Sequence, residues 1–183
     1  YAFSTENWSR PEDEVKGLME MLASSLKKNI HLFTDNNIRL TIMGETDKLP
    51  AKLQRELNDI LELTKDNSRM TLNVALSYSG RWEVTEAVKN IVQDSRDGKL
   101  SADDVNEDLI SSYMKTRHLG DPELLIRTSG EMRISNFLLW QIAYTELHII
   151  DTLWPDFRKE HLYNAVKEYQ KRERRFGKTS EQV

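Results

Sequence analysis

Two short runs, IRLTIMG at residues 38–44 and MTLNVALSY at residues 70–78, bracket a helical pattern, and their order decides the fold. In the first run apolar and polar residues alternate, which is the period of a strand. Pro50 then opens a stretch in which Leu53, Leu57, Ile60 and Leu61 recur at helical spacing. Residues 70–78 read as a second strand, and RWEVTEAVKNIVQD, residues 81–94, is helical again. Strands separated by helices of this length need crossover connections, and these build a largely parallel β-sheet covered by helices on both faces.

The same grammar extends outward. YAF at the start has the profile of a strand ending in a loop, STENWSRP. Ser9, Pro11 and Glu12 predict a capped helix start, and Val15, Leu18, Met19, Leu22, Leu26 and Ile30 continue one apolar stripe to Phe33. Downstream, Ser101 to Asp104 begins a short helix, ELLIR (residues 123–127) and YTELHII (residues 144–150) are strands, and a long charged helix follows Trp154-Pro155. With 183 residues the chain is long enough for one core, so a single α/β domain over residues 1–183 is expected.

Composition narrows the chemistry. A net charge of −4 gives no global field toward nucleic acid or anionic lipid, so phosphate recognition has to be local. The absence of cysteine removes thiolate nucleophiles and cysteine metal sites, and it suits a reducing cytoplasm. His31, His118, His148 and His161 lack metal-ligand spacing. No apolar run approaches the roughly 20 residues that span a bilayer.

In parallel sheets ligands collect beyond the carboxyl ends of strands. Two loops qualify: Ser4 to Arg10 after YAF, and Arg127 to Ser135 after ELLI, expected on one rim. Together they offer Arg10, Arg127 and Arg133 and the hydroxyls of Ser4, Thr5, Thr128, Ser129 and Ser135. The planar fork of arginine matches phosphate oxygens, so the cluster reads as a diphosphate receptor. Glu131 and Glu146 either balance the arginines or hold a divalent cation; Mg²⁺ commonly joins one or two carboxylates to substrate phosphates. The ordinary alternative for any one arginine is a surface ion pair. Neither G-x-x-x-x-G-K-[ST] nor G-x-G-x-x-G occurs, which disfavours ATP and NAD.

YAFSTENWSRP, IRTSGEMRISNFLLWQIAYTELHIIDTLWPDF and RERRFG resemble the conserved regions of the cis-prenyltransferase family, and within it the bacterial undecaprenyl diphosphate synthases. The resemblance runs from Tyr1 to about Gly177. It implies condensation of isopentenyl diphosphate units onto an allylic diphosphate, usually farnesyl diphosphate, with Mg²⁺, each new double bond being cis. The expected product is a long polyprenyl diphosphate such as undecaprenyl diphosphate, the lipid carrier for cell-wall synthesis. By match, Arg127, Arg133, Ile134 and Ser135 hold isopentenyl diphosphate. Ser4, Thr5, Glu6, Trp8 and Arg10 line the junction with the allylic substrate. Asn7 is implied at the condensation centre as the catalytic residue assigned to proton removal, Glu146 as a Mg²⁺ ligand, and Arg175 and Gly177 as an arm reaching the other subunit of a homodimer.

The resemblance also implies an apolar product tunnel, for which Ala2, Phe3, Leu18, Leu22 and Leu26 are candidates alongside an equal reading as core. The family's Asp-Gly-Asn-Gly-Arg-Trp-like phosphate loop is absent, and the chain opens at Tyr1, so an N-terminally incomplete and inactive piece is expected. Ser79 stands where the family commonly has glycine. DDVNE, residues 103–107, shares an acidic pattern with trans-prenyltransferases but sits at a helix start. A cytoplasmic protein, in peripheral contact with the inner membrane face for product release, is implied, with no nucleic-acid partner. A non-catalytic subunit of a heteromeric prenyltransferase is the alternative reading.

Overall fold

β3 (Met70–Tyr78) is the centre of the first sheet, with β1 (Phe3–Ser4) on one side and β2 (Ile38–Met43) on the other, all parallel. This is the computed structural model of the chain, and it describes residues 1–175, 179 and 181. The chain divides into two compact units, Tyr1–Lys115 and Thr116–Val183.

In the first unit, β2 runs in unbroken register from Ile38 opposite Met70 to Met43 opposite Ala75. β1 does not: Phe3 pairs with Leu76 and Ser4 with Tyr78, so Ser77 is an extra residue, a bulge with φ +53°. At the end of β2 the backbone closes on β3 so tightly that Gly44, at φ +130°, has no room for a side chain; a Cβ there would lie 1.9 Å from the Leu76 carbonyl oxygen.

Helices α1 (Glu12–Lys28), α2 (Ile30–Asp35) and α3 (Ala51–Thr64) supply the core against this sheet. Met19, Leu26 and Phe33 from α1 and α2 join Leu53, Leu57 and Ile60 from α3 in one buried cluster with Phe3, Leu40 and Leu76. The predicted single helix to Phe33 is therefore two. The apolar stripe continues through the break, but Asn29 leaves helical geometry and its side-chain amide donates to the Ser25 carbonyl at 2.8 Å. Fully buried Thr64 joins α3 to β2: its Oγ1 donates to the Ile60 carbonyl at 2.9 Å and accepts the Leu40 N–H at 3.2 Å.

α4 (Gly80–Arg96) follows β3 directly and α5 (Glu107–Tyr113) follows α4. Ser79 caps α4, its hydroxyl accepting the Trp82 N–H. In the first turn of α4, buried Glu83 accepts the Tyr78 hydroxyl on one oxygen and the Lys115 N–H, at 2.7 Å, on the other. A buried carboxylate is tolerated only when hydrogen-bonded in this way.

In the second unit β4 (Leu124–Arg127) pairs in parallel with β5 (Glu146–Ile149), from Leu124 opposite Glu146 to Arg127 opposite Ile149, and α6 (Lys159–Gln170) follows. β5 starts two residues later than its apolar pattern suggests. Thr145 closes a turn instead, donating its N–H to the Ile142 carbonyl and its hydroxyl to the Pro122 carbonyl. The fold is thus α/β with parallel pairing throughout the described strands, arranged as a three-stranded and a two-stranded sheet.

Candidate functional site

β1 ends at Ser4 and the chain turns at once into a 3₁₀ helix, Thr5–Ser9. Ser4 caps this turn. Its hydroxyl accepts the Asn7 N–H at 3.2 Å, while Asn7 Oδ1 accepts the Ser4 N–H at 2.9 Å. The cap expected at Ser9 for α1 is not formed: Ser9 donates to the Glu6 carbonyl at 2.7 Å, and α1 begins behind Pro11 without a side-chain cap. One consequence concerns Asn7. Its amide oxygen spends one of its two lone pairs on the turn, and its NH₂ can only donate.

Trp8 is half-buried and fixed at two points. Its ring meets Phe3 edge-on, centroids 5.0 Å apart, and its indole N–H donates to Ser77 Oγ at 2.9 Å. Thr5 Oγ1 donates to Glu6 Oε2 at 3.1 Å. Arg10 forms an exposed ion pair with Glu14 at 2.7 Å, a weak partner that an arriving phosphate can displace.

In the second unit, β4 ends on Arg127. The residue is half-buried and its Nε is buried with no acceptor among the described residues. Such a donor costs free energy unless something completes it. The loop beyond is unusual in backbone: Ser129, Gly130, Ser135, Asn136 and Leu138 all have positive φ, from +47° to +72°. Non-glycine residues in this region cluster at functional sites because the surrounding structure must hold them there. The Ser129 N–H donates to the Thr152 carbonyl at 3.0 Å and the Gly130 N–H to the Ile150 carbonyl at 2.8 Å, tying the loop to the chain after β5. Exposed Arg133 pairs with Glu131, the Ile134 carbonyl accepts the Phe137 N–H at 3.1 Å, and Ser135 is exposed.

Glu146, at the start of β5, accepts a hydrogen bond from Arg172 Nη1 at 2.8 Å on Oε2. Its other oxygen has no hydrogen-bond partner among the described residues. No group of three acidic or histidine side chains forms a metal centre among the described residues. One carboxylate with a free oxygen nevertheless suits Mg²⁺, which takes most of its ligands from phosphate and water. Arg175 lies against Glu173 at 3.0 Å, and Gly177 lies outside the described residues.

A groove of about 790 Å³ runs between α1 and α3, with Trp8, Val15, Met19 and Leu53 among its apolar lining and Glu56 on its wall, one of whose carboxylate oxygens is buried without a donor among the described residues. Phe3, Leu18, Leu22 and Leu26 do not line it; Phe3 and Leu26 are core, and Leu18 and Leu22 pack against that core. DDVNE is a cap: Asp104 accepts the N–H and hydroxyl of Ser101, and these bonds hold its carboxyl below the usual carboxylate range.

The sequence therefore places Ser4, Thr5, Glu6, Asn7, Trp8 and Arg10 on one turn of the first unit, and Arg127, Arg133, Ile134 and Ser135 on one loop of the second. Ser77 escapes sequence reasoning, because a serine inside a strand pattern carries no sign of a bulge.

Comparison with known proteins gives these loops a context. The family described as "Putative undecaprenyl diphosphate synthase" matches residues 1–177. The chain is 48% identical over 183 residues to the isoprenyl transferase of Chlorobaculum tepidum, spanning 69% of that protein, and 48% identical to that of Porphyromonas gingivalis, spanning 72%. Its structure matches lavandulyl diphosphate synthase from Lavandula x intermedia, crystallised with dimethylallyl diphosphate, at TM-score 0.94 and 33% identity over 97% of this chain and 77% of that one. It also matches a "probable undecaprenyl diphosphate synthase" from Campylobacter jejuni at TM-score 0.86 and 35% identity, over 97% of this chain and 81% of that one. The chain belongs to the undecaprenyl diphosphate synthase family of isoprenyl transferases.

Proposed function

We propose that the protein carrying this chain is a cis-prenyl chain elongase that condenses isopentenyl diphosphate onto farnesyl diphosphate and releases a long polyprenyl diphosphate, undecaprenyl diphosphate serving as cell-wall lipid carrier. The observation that carries this reading is Arg127, a guanidinium whose Nε is buried without an acceptor at a strand's carboxyl end, beside a left-handed loop. A diphosphate oxygen completes that donor, and charge-assisted bonds of this kind are the strong ones.

In the reaction the allylic C–O bond breaks and diphosphate leaves. The isopentenyl double bond forms the new C–C bond at that carbon, and a proton is lost from the isopentenyl unit. Arg127, Arg133 and Ser135 hold the isopentenyl diphosphate, with the backbone at Ile134 shaping the turn between them. Ser4, Thr5, Glu6, Trp8 and Arg10 position the allylic partner, whose orientation relative to the attacking alkene sets the rate. Asn7 uses its NH₂ to orient the reacting groups, and the proton goes to another acceptor, for which the departing diphosphate is suited. Glu146 is the residue here that would hold Mg²⁺, which when bound neutralises diphosphate charge.

The growing chain requires an apolar path, each buried CH₂ contributing about 0.8 kcal/mol. Leu18 and Leu22, partly buried on α1 next to exposed Met21, supply such a strip. A homodimer in which Arg175 and Gly177 reach the neighbouring site, and a cytoplasmic protein peripheral to the membrane, complete the proposal. No helix among the described residues is long and apolar enough to cross a membrane.

The test is to incubate the full-length protein with farnesyl diphosphate, labelled isopentenyl diphosphate and Mg²⁺ and resolve products by length. A ladder ending in a long cis product is expected. Folded protein that incorporates no label would overturn the proposal.

A further inference from the structure

Trp8 is held by a residue outside the turn that carries it. Its indole N–H donates to Ser77 Oγ at 2.9 Å, and Ser77 is fully buried on β3. Ser77 is also the bulge, left over where β1 pairs Phe3 with Leu76 and Ser4 with Tyr78. Bulges bend a strand and re-aim a side chain, and they gather beside active sites. Here the extra residue sits at φ +53° and its carbonyl accepts the Glu45 N–H at 2.9 Å, so the end of β2 fixes the bulge from the other side.

The residue type is informative. For the backbone alone glycine would suit a positive φ better, since it has no Cβ to strain. Serine adds only a hydroxyl, and that hydroxyl meets Trp8. With Phe3 against the ring and Ser77 at the nitrogen, both the tilt of the indole and its rotation about the side-chain bonds are fixed. A reacting constellation depends on such supporting contacts to hold its geometry.

We infer that Ser77 is a positioning residue for chain elongation: its hydroxyl, presented by the β3 bulge, sets the orientation of Trp8 at the allylic junction. This rests on the reading of Trp8 as part of the elongation site.

The experiment compares Ser77→Ala, Ser77→Gly and Ser77→Asn in the full-length protein. Alanine removes the hydroxyl and keeps the backbone strain; glycine removes both; asparagine tolerates the left-handed region and offers an acceptor oxygen. The Trp8 indole N–H resonance, assigned by its loss in Trp8→Phe, reports the bond directly. Elongation kinetics report its use.

S77A and S77G should both shift that resonance and speed its solvent exchange, and both should lower kcat by roughly threefold to tenfold, the effect of one ordinary hydrogen bond, with KM for isopentenyl diphosphate unchanged. S77N should recover much of both. An indole resonance unmoved in S77A and S77G would overturn the bond. A moved resonance with wild-type kcat in S77G would overturn the positioning role, leaving backbone strain as the cause of any S77A defect. Wild-type protein without prenyl transfer would instead refute the elongation reading, while the resonance still judges the bond.

Discussion

Replacing Arg127 by methionine should make the protein more stable and a worse enzyme at once. The Nε of Arg127 is buried without an acceptor among the described residues, and an unsatisfied buried donor costs about 1–3 kcal/mol. Methionine keeps an unbranched apolar stem and deletes the donor. Because Arg127 is only half-buried, the gain belongs at the lower end, about 1 kcal/mol of added unfolding free energy. On the functional side the variant loses a charge-assisted bond to diphosphate, about 1.5–3 kcal/mol, or roughly 10- to 150-fold in kcat/KM for isopentenyl diphosphate. Urea unfolding followed by circular dichroism, and initial rates at varied isopentenyl diphosphate, measure the two effects on one preparation. A variant destabilised by about 1 kcal/mol or more would mean that the guanidinium has a structural partner in the free protein, and the argument from an unpaired donor would fall. Unchanged kinetics would remove Arg127 from the diphosphate site.

Three further outcomes follow from features of the first unit. Gly44→Ala places a Cβ 1.9 Å from the Leu76 carbonyl oxygen and should abolish soluble folded protein; a normal urea midpoint would contradict the close approach of β2 to β3. Thr64→Val keeps shape but removes the bonds to Ile60 and Leu40, leaving a buried N–H unpaired, and should cost about 1–3 kcal/mol in urea unfolding, against no change if the hydroxyl is idle. Asp94 is held below its ordinary value of 3.8 by the Lys99 ammonium and then the Tyr113 hydroxyl. Its folded pKa is depressed, so its stabilising contribution is present above 3.8 and is lost as pH falls through the lower folded value. A carboxylate NMR titration should find its midpoint below 3.8, and Lys99→Met should move it upward; an unmoved midpoint would sink the pairing.

Periodicity read the elements well because it reports the face each element buries. The run at residues 70–78 is a strand over its whole length, and the α3 stripe of Leu53, Leu57 and Ile60 is core. What escaped were events decided by single contacts. The stripe from Leu26 to Ile30 passes through the Asn29 break unchanged, since two short helices can present the same face as one long one. Ser9, expected to cap α1, donates back to the Glu6 carbonyl instead, and the separate 3₁₀ turn is capped by Ser4, where β1 ends in an extended conformation that its hydroxyl can use. Strand order is set by distant pairings that no local pattern encodes, which is why the split into a three-stranded and a two-stranded sheet was not legible. The site was legible as motifs, whose residue types carry phosphate chemistry. The unpaired Nε of Arg127 and the anchor of Trp8 needed three dimensions.

The β1 pairing also fixes an order in time. Phe3 and Ser4 are made well before their partners Leu76 and Tyr78, which emerge only after three α-helices and a strand have been added. Closing so long a loop costs entropy, which a two-residue ladder, the hydrogen bonds from Tyr1 and Ala2 to β3, the burial of Phe3 and the Trp8 contact offset. During N-to-C synthesis the turn that carries Asn7 and Trp8 must therefore wait, open to solvent and proteases, until β3 is in place. In the finished protein a ladder this short opens more readily than the six-pair ladder between β2 and β3, so amide exchange should be faster in this turn than in those two strands.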